Sequence, residues 1–168
     1  MTSDPAIRLY FVTGRDTLVS RVIRGAELGF PYSHVGAFLP DGRVVSAHAR
    51  DGVHVRRIED EAPWAARADV FIPCTATQRD NHGAWLLSQV GKPYDLVAIG
   101  AMLLGLFRGR PAASGWPSAW ICSALQFEAL AHPDVGLFPW RPTTIRTFTP
   151  EMVMVACMGI NGSRMVIE

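Results

Sequence analysis

Residues 34–49, HVGAFLPDGRVVSAHA, predict a β-hairpin, the element from which the rest of the expected fold is built. Apolar and β-branched residues fill 34–39 and 43–49, and the turn residues Pro40-Asp41-Gly42 separate the two runs. A second turn at Asp51-Gly52 leads into a further strand over 53–58. The pattern therefore predicts an antiparallel meander of three strands.

The rest of the chain alternates between strand and helix patterns. Further strands are predicted over residues 7–12, 68–73 and 165–167. Helices are predicted over residues 18–26, 78–90, 96–107 and 120–131, with another helix start at 149–151. Residues 60–66 read as an acidic turn or loop and 108–117 as a loop. The expected fold is α+β, an antiparallel sheet of about five strands with the helix that carries Cys122 packed against it.

Length and charge limit the classes of function. A chain of 168 residues with 49% hydrophobic and 18% charged residues predicts one globular domain spanning 1–168. A net charge of +1 gives no electrostatic field for nucleic acid. The apolar run 96–107 is shorter than the roughly 20 residues that span a bilayer, so no transmembrane segment is expected. Three widely spaced cysteines and the absence of a signal-peptide pattern favour a reducing, cytoplasmic location.

Cys122 and His34 have the setting of a thiol nucleophile and its base. Cys122 opens a predicted helix, where unpaired N–H groups and the helix dipole favour the thiolate. His34 opens a predicted strand, which would hold an imidazole in a fixed position. Taken alone, a cysteine in the position of Cys122 is more often a small buried apolar residue, and a histidine in the position of His34 is more often a structural residue with its hydrogen bonds made.

Four segments together resemble the permuted NlpC/P60 families, which are circularly permuted papain-like cysteine hydrolases of the YiiX and YaeF type. They are YSHVG at 32–36, DGRVVSA at 41–47, GKPYD at 91–95 and CSAL at 122–125. Residues 14–24 also resemble the entry helix of the family, so the match runs from about residue 8 to residue 130. The resemblance implies a papain-like fold in which Cys122 is the nucleophile and His34 the general base.

The third member of the implied site is where this chain departs from the family pattern. The position that orients the imidazole, 12 residues after His34, is Ser46, where the family usually carries Glu or His. A serine accepts a hydrogen bond from an imidazole but supplies no charge to it. His48 lies two residues further on the same strand face and is a natural substitute, although it could equally face solvent at the strand end.

Tyr94 is the last candidate site residue. In the resemblance the matching tyrosine lines the cleft near the cysteine, where its hydroxyl could stabilise an oxyanion; a half-buried aromatic role fits nearly as well. The other polar or thiol candidates are expected elsewhere, at the surface for Asp51, His54, His82 and His132, and in the core for Cys74 and Cys157.

The leading hypothesis is a cysteine hydrolase, an amidase, peptidase or acyl-transferring enzyme that cleaves an amide or ester through an acyl-enzyme. Its substrate would be a small peptide or an N-acyl, lipid-like molecule, for which the apolar run 96–107 and the nearby Trp116 and Trp120 could form a wall. A second hypothesis, motivated by Ser46, is a binding module on the same fold that has lost efficient catalysis. A third is a metal site built from His48, His54 and a cysteine such as Cys74, whose spacing matches no standard zinc motif, so no cofactor or metal is expected.

Overall fold

A six-stranded antiparallel sheet forms the centre of the computed structural model, which describes residues 5–13, 30–101, 118–138 and 148–168. The strands run in the spatial order β4-β3-β2-β1-β5-β6. Their bounds are Ala6–Val12 (β1), His34–Phe38 (β2), Val44–His48 (β3), Gly52–Arg56 (β4), Arg67–Pro73 (β5) and Arg164–Ile167 (β6). The predicted α+β class and antiparallel meander are confirmed, and residues 164–167 bring the sheet to six strands.

Helices cover one side of this sheet. Their bounds are Ala76–Ser88 (α1), Cys122–Ala131 (α2) and Pro150–Met158 (α3), and residues 96–101 are helical as well. Helix α2 packs on β2 and β3, as expected for the helix that carries Cys122. The predicted helix over 18–26, residues 102–107 of the next apolar helix and the loop 108–117 lie outside the described residues.

Helix α1 begins two residues before the predicted start because its N-terminus is capped. The Thr75 hydroxyl accepts a hydrogen bond from the Gln78 backbone N–H at 3.1 Å, and the Gln78 side chain accepts one from the Thr75 N–H at 2.9 Å. This reciprocal pair satisfies two N–H groups that the helix itself leaves without partners. Helix α3 starts at the predicted position, with Pro150 in its first turn and Thr149 as its cap.

The two sides of the sheet have different chemistry. Successive strand residues point to opposite sides, and the alternate residues Val35, Ala37, Val45 and Ala47 are fully buried in the main apolar core with the helices. The residues between them project from the other side. We call that side the polar face, formed by Tyr10, His34, Ser46, His48 and His54.

The 3₁₀ turn Ile58–Glu61 is folded back over the polar face. On the apolar flanks of this turn, Ile58 and Trp64 pack against a small cluster that contains Tyr10 and Val44. The contacts hold the turn against the sheet, so the acidic segment predicted as a turn or loop reaches the polar side chains of the strands.

Two histidines expected at the surface are not there. His82 is 2% exposed and lies with Gly83 and Leu86 on the buried side of α1. That side faces the sheet and α2, so the tertiary contact buries a position whose polar sequence neighbours had indicated exposure. The His54 side chain is only 15% exposed, because it projects from β4 onto the polar face.

Among the described residues no helix combines the length and the apolar character needed to cross a membrane.

Candidate active site

A buried carboxylate, Glu61, stands at the centre of the polar face. Its side chain is 2% exposed, and its Oε2 lies 2.8 Å from His48 Nε2 and 4.0 Å from His34 Nε2. Its Oε1 accepts a hydrogen bond from the Ser46 hydroxyl at 3.1 Å and lies 3.9 Å from His54 Nε2. Three imidazoles and one hydroxyl therefore surround a single carboxylate.

His34 and His48 are brought together by the strand register. Ala37 pairs with Val45 across β2 and β3, so continuing the same register sets His34 opposite His48 without the register shift considered from the sequence. The two imidazole rings lie 4.3 Å apart between centroids. Ser46 is also close, since its Oγ lies 3.0 Å from His48 Nε2. Ser46 and His48, the two candidates for the residue that orients His34, therefore lie in one cluster, and both contact Glu61.

The orientation of His54 is fixed by the backbone. Its Nδ1 lies 2.9 Å from the carbonyl oxygen of Gly52, and because a carbonyl oxygen only accepts, Nδ1 must carry the hydrogen. The neutral imidazole then has its lone pair on Nε2, which faces Glu61. Gly52 itself has a φ of +69°, and a Cβ there would overlap the carbonyl oxygen of Lys92, so this turn requires glycine.

The charges on the polar face shift the ionisation of its members. Burial alone would raise the pKa of Glu61, but the His48 and His54 imidazoles beside it lower that pKa well below its usual range. Burial, reinforced by the neighbouring charge of His48, lowers the pKa of His34 to about 3. The site therefore holds an ionised carboxylate and a neutral His34 at pH 7.

Cys122 is the first residue of α2, and its neighbour Tyr94 is positioned by a short backbone bridge. The Trp120 N–H donates to the Pro93 carbonyl and the Asp95 N–H donates to the Trp120 carbonyl, both at 3.0 Å. This bridge brings the Tyr94 hydroxyl to the Cys122 sulfur. Burial raises the pKa of Tyr94, and the negative charge of Cys122 and the hydrogen bond to its sulfur raise it further. The hydroxyl consequently stays protonated and can donate to a thiolate.

Tyr10 is influenced by charges on the polar face and at Cys122. Burial raises its pKa well above the usual value, and the charges of Glu61 and of Cys122 both add to the shift. The Tyr10 hydroxyl, itself on the polar face, is therefore close enough to Glu61 and to the Cys122 sulfur for a charge on either to act on it. Its ring crosses β2 at Gly36, where a Cβ would overlap the hydroxyl, so the glycine of the His34-Val35-Gly36 segment makes room for Tyr10.

The structure groups the predicted site residues in two sets. His34, Ser46 and His48 lie together around Glu61, and Tyr94 lies at Cys122. The other thiols are elsewhere: Cys157 is fully buried in the core, and Cys74 follows β5, which two strands separate from β3. Cys74 therefore does not join His48 and His54 in a metal site.

Sequence reasoning missed Glu61. The residue stands 13 positions after His48 in an acidic run that resembles a solvated loop. The available signal was the pair of apolar residues Ile58 and Trp64 on either side of that run, which indicates a turn docked on the protein rather than extended into water.

Comparison of the chain with protein-family models and with curated proteins gives no match.

Proposed function

We propose that this protein is a cysteine hydrolase with a permuted papain-like arrangement. Cys122 attacks the carbonyl carbon of an amide or ester, the C–N or C–O bond breaks to release the amine or alcohol, and water then cleaves the thioester acyl-enzyme. The observation that carries the proposal is the Tyr94 hydroxyl at the sulfur of a cysteine that opens a helix. The N-cap residue of this helix, Ile121, has no side-chain cap. The first N–H groups of α2 and the helix dipole then favour a thiolate and, during attack, an oxyanion.

The polar face supplies the acid–base part of the proposal. His34 is held neutral by burial and so keeps a lone pair that can accept a proton. Glu61 fills the role left weak by Ser46, because a buried carboxylate stabilises an imidazolium that forms beside it. His48 and Ser46 hydrogen-bond or pair with Glu61 and hold the carboxylate in place.

An apolar surface next to the thiol favours an acyl or lipid-like group on the substrate. Ala98 and Ile99 pack against Ile121 and the first turn of α2, while Leu96 and Val97 remain exposed beside Tyr94. Such side chains would bind an acyl chain by burying apolar area. We therefore favour an N-acyl or ester substrate over a purely polar peptide.

The experiment is alkylation by iodoacetamide at neutral pH, with each cysteine followed separately by peptide mass spectrometry. Cys74 and Cys157 serve as internal controls, since burial raises the pKa of both thiols, to about 12 for Cys157. Cys122 should react first, and the variants His34→Ala and Tyr94→Phe should slow its reaction. A burst of product from an activated ester, with the acyl group mapped to Cys122, would show the acyl-enzyme.

Labelling of Cys122 at the rate of a free model thiol, unchanged in both variants and without an acyl-enzyme, would contradict the hydrolase and leave the binding module.

A further inference from the structure

Two imidazole nitrogens on the polar face take part in no hydrogen bond among the described residues. The Nε2 atoms of His34 and His54 are buried, and within the described part of the chain neither has a hydrogen-bond partner. They lie 4.0 and 3.9 Å from the two oxygens of Glu61. Buried polar atoms without a partner are uncommon and need an explanation.

The orientation of these nitrogens indicates what kind of group would bind between them. His54 donates through Nδ1 to a backbone carbonyl, so its other nitrogen, Nε2, faces the electron-rich Glu61 carboxylate at 3.9 Å. This is also the arrangement that orients metal-binding histidines, whose second nitrogen usually donates to a carbonyl or carboxylate. A cation between the imidazoles and the carboxylate would satisfy both.

We propose that His34, His48 and Glu61 bind a divalent transition-metal ion of the Zn²⁺ class, with His54 Nε2, 3.9 Å from Glu61 Oε1, as a further nitrogen close to the site. One ligand atom from each of the three residues lies within 4.8 Å of the other two. Ligands about 2.0–2.2 Å from a tetrahedral zinc ion lie roughly 3.3–3.6 Å from one another. The distances of 2.8 Å from Glu61 to His48 and 4.0 Å from Glu61 to His34 bracket that range, so small side-chain movements would form the site.

The donor set selects the class of metal. Two imidazoles and one carboxylate suit zinc and its neighbours better than calcium or magnesium, which prefer oxygen ligands alone. Three protein ligands also leave a position open for water or another ligand. A bound ion would take the His34 lone pair, so His34 would act as a general base only in the metal-free protein.

The test is titration of Co²⁺ into protein freed of metal by a chelator, followed by its visible d–d absorption, with Zn²⁺ added as competitor. We expect one ion per chain. The variants His34→Ala and Glu61→Gln should weaken binding by about 100-fold or more, since even outer-shell partners of a metal ligand contribute about 10- to 100-fold. His132→Ala removes a partly exposed histidine that lies apart from the polar face, and this matched control should bind as the wild type does.

Cys122→Ser separates this inference from the proposed hydrolase, on which it does not rest. The variant has lost its thiol chemistry but should keep Co²⁺ binding and an unchanged spectrum. Failure to bind Co²⁺, undiminished binding in both His34→Ala and Glu61→Gln, or a thiolate-to-cobalt band that Cys122→Ser abolishes would each overturn the proposed ligand set. Circular dichroism checks that the variants fold, and His48→Gln replaces any variant that does not.

Discussion

The buried His82 makes the stability of this protein sensitive to acid. Burial alone lowers the pKa of His82 to about 3, against 6.5 for the free side chain, because the imidazole is 2% exposed on the inner side of α1. Between these two values the unfolded chain binds a proton that the folded chain does not. This contribution to stability is complete above about pH 6.5 and is lost as the pH falls toward 3.

The magnitude follows from the linkage relation, which gives about 1.4 kcal/mol per pH unit for one proton. At about pH 4.5, two units below the unfolded pKa, His82 should cost about 2–3 kcal/mol of the unfolding free energy. The variant His82→Gln removes the titrating group and should flatten the pH dependence by that amount. His34 shifts in the same direction, so the wild-type slope contains both residues and the variant removes only one share.

The assay is urea unfolding followed by tryptophan fluorescence at a series of pH values from about 7 to 4.5. The comparison uses the slope of unfolding free energy against pH, because any effect of the glutamine side chain itself on stability is independent of pH and leaves the slope unchanged. His132→Gln, at a partly exposed position, is the matched control. An unchanged slope in His82→Gln would refute the reasoning.

Two further predictions test packing and capping. Gly36→Ala should destabilise the protein by about 1–3 kcal/mol, since the added methyl group would overlap the Tyr10 ring. The control Gly100→Ala should leave stability unchanged, because a Cβ added there meets no described atom within 4 Å. If thermal unfolding showed the same loss of stability in both variants, this prediction would be contradicted. Thr75→Ala should lower the free energy of unfolding by about 1 kcal/mol by removing the cap of α1. The control Thr77→Ala, in the exposed first turn, should be close to neutral. Equal unfolding midpoints of the two variants in urea would show that the cap contributes nothing.

Much of the fold follows from local sequence patterns. The hairpin is encoded by strand residues on both sides of Pro40-Asp41-Gly42, and its register sets His34 opposite His48. The starts of α2 and α3 follow from residues within one turn of each helix. These features depend on neighbours along the chain. For the same reason the hairpin residues of the candidate site, His34, Ser46 and His48, could be predicted from the sequence.

Local sequence patterns were enough to predict an antiparallel sheet, a cysteine that opens a helix and histidines on adjacent strands. The position of Glu61 among those histidines and the burial of His82 follow instead from contacts between distant parts of the chain. Both residues sit in polar stretches that would be equally compatible with solvent, so their own neighbours carry no information about burial. Their environment is set by segments distant along the chain, the turn docked by Ile58 and Trp64 in one case and the sheet under α1 in the other.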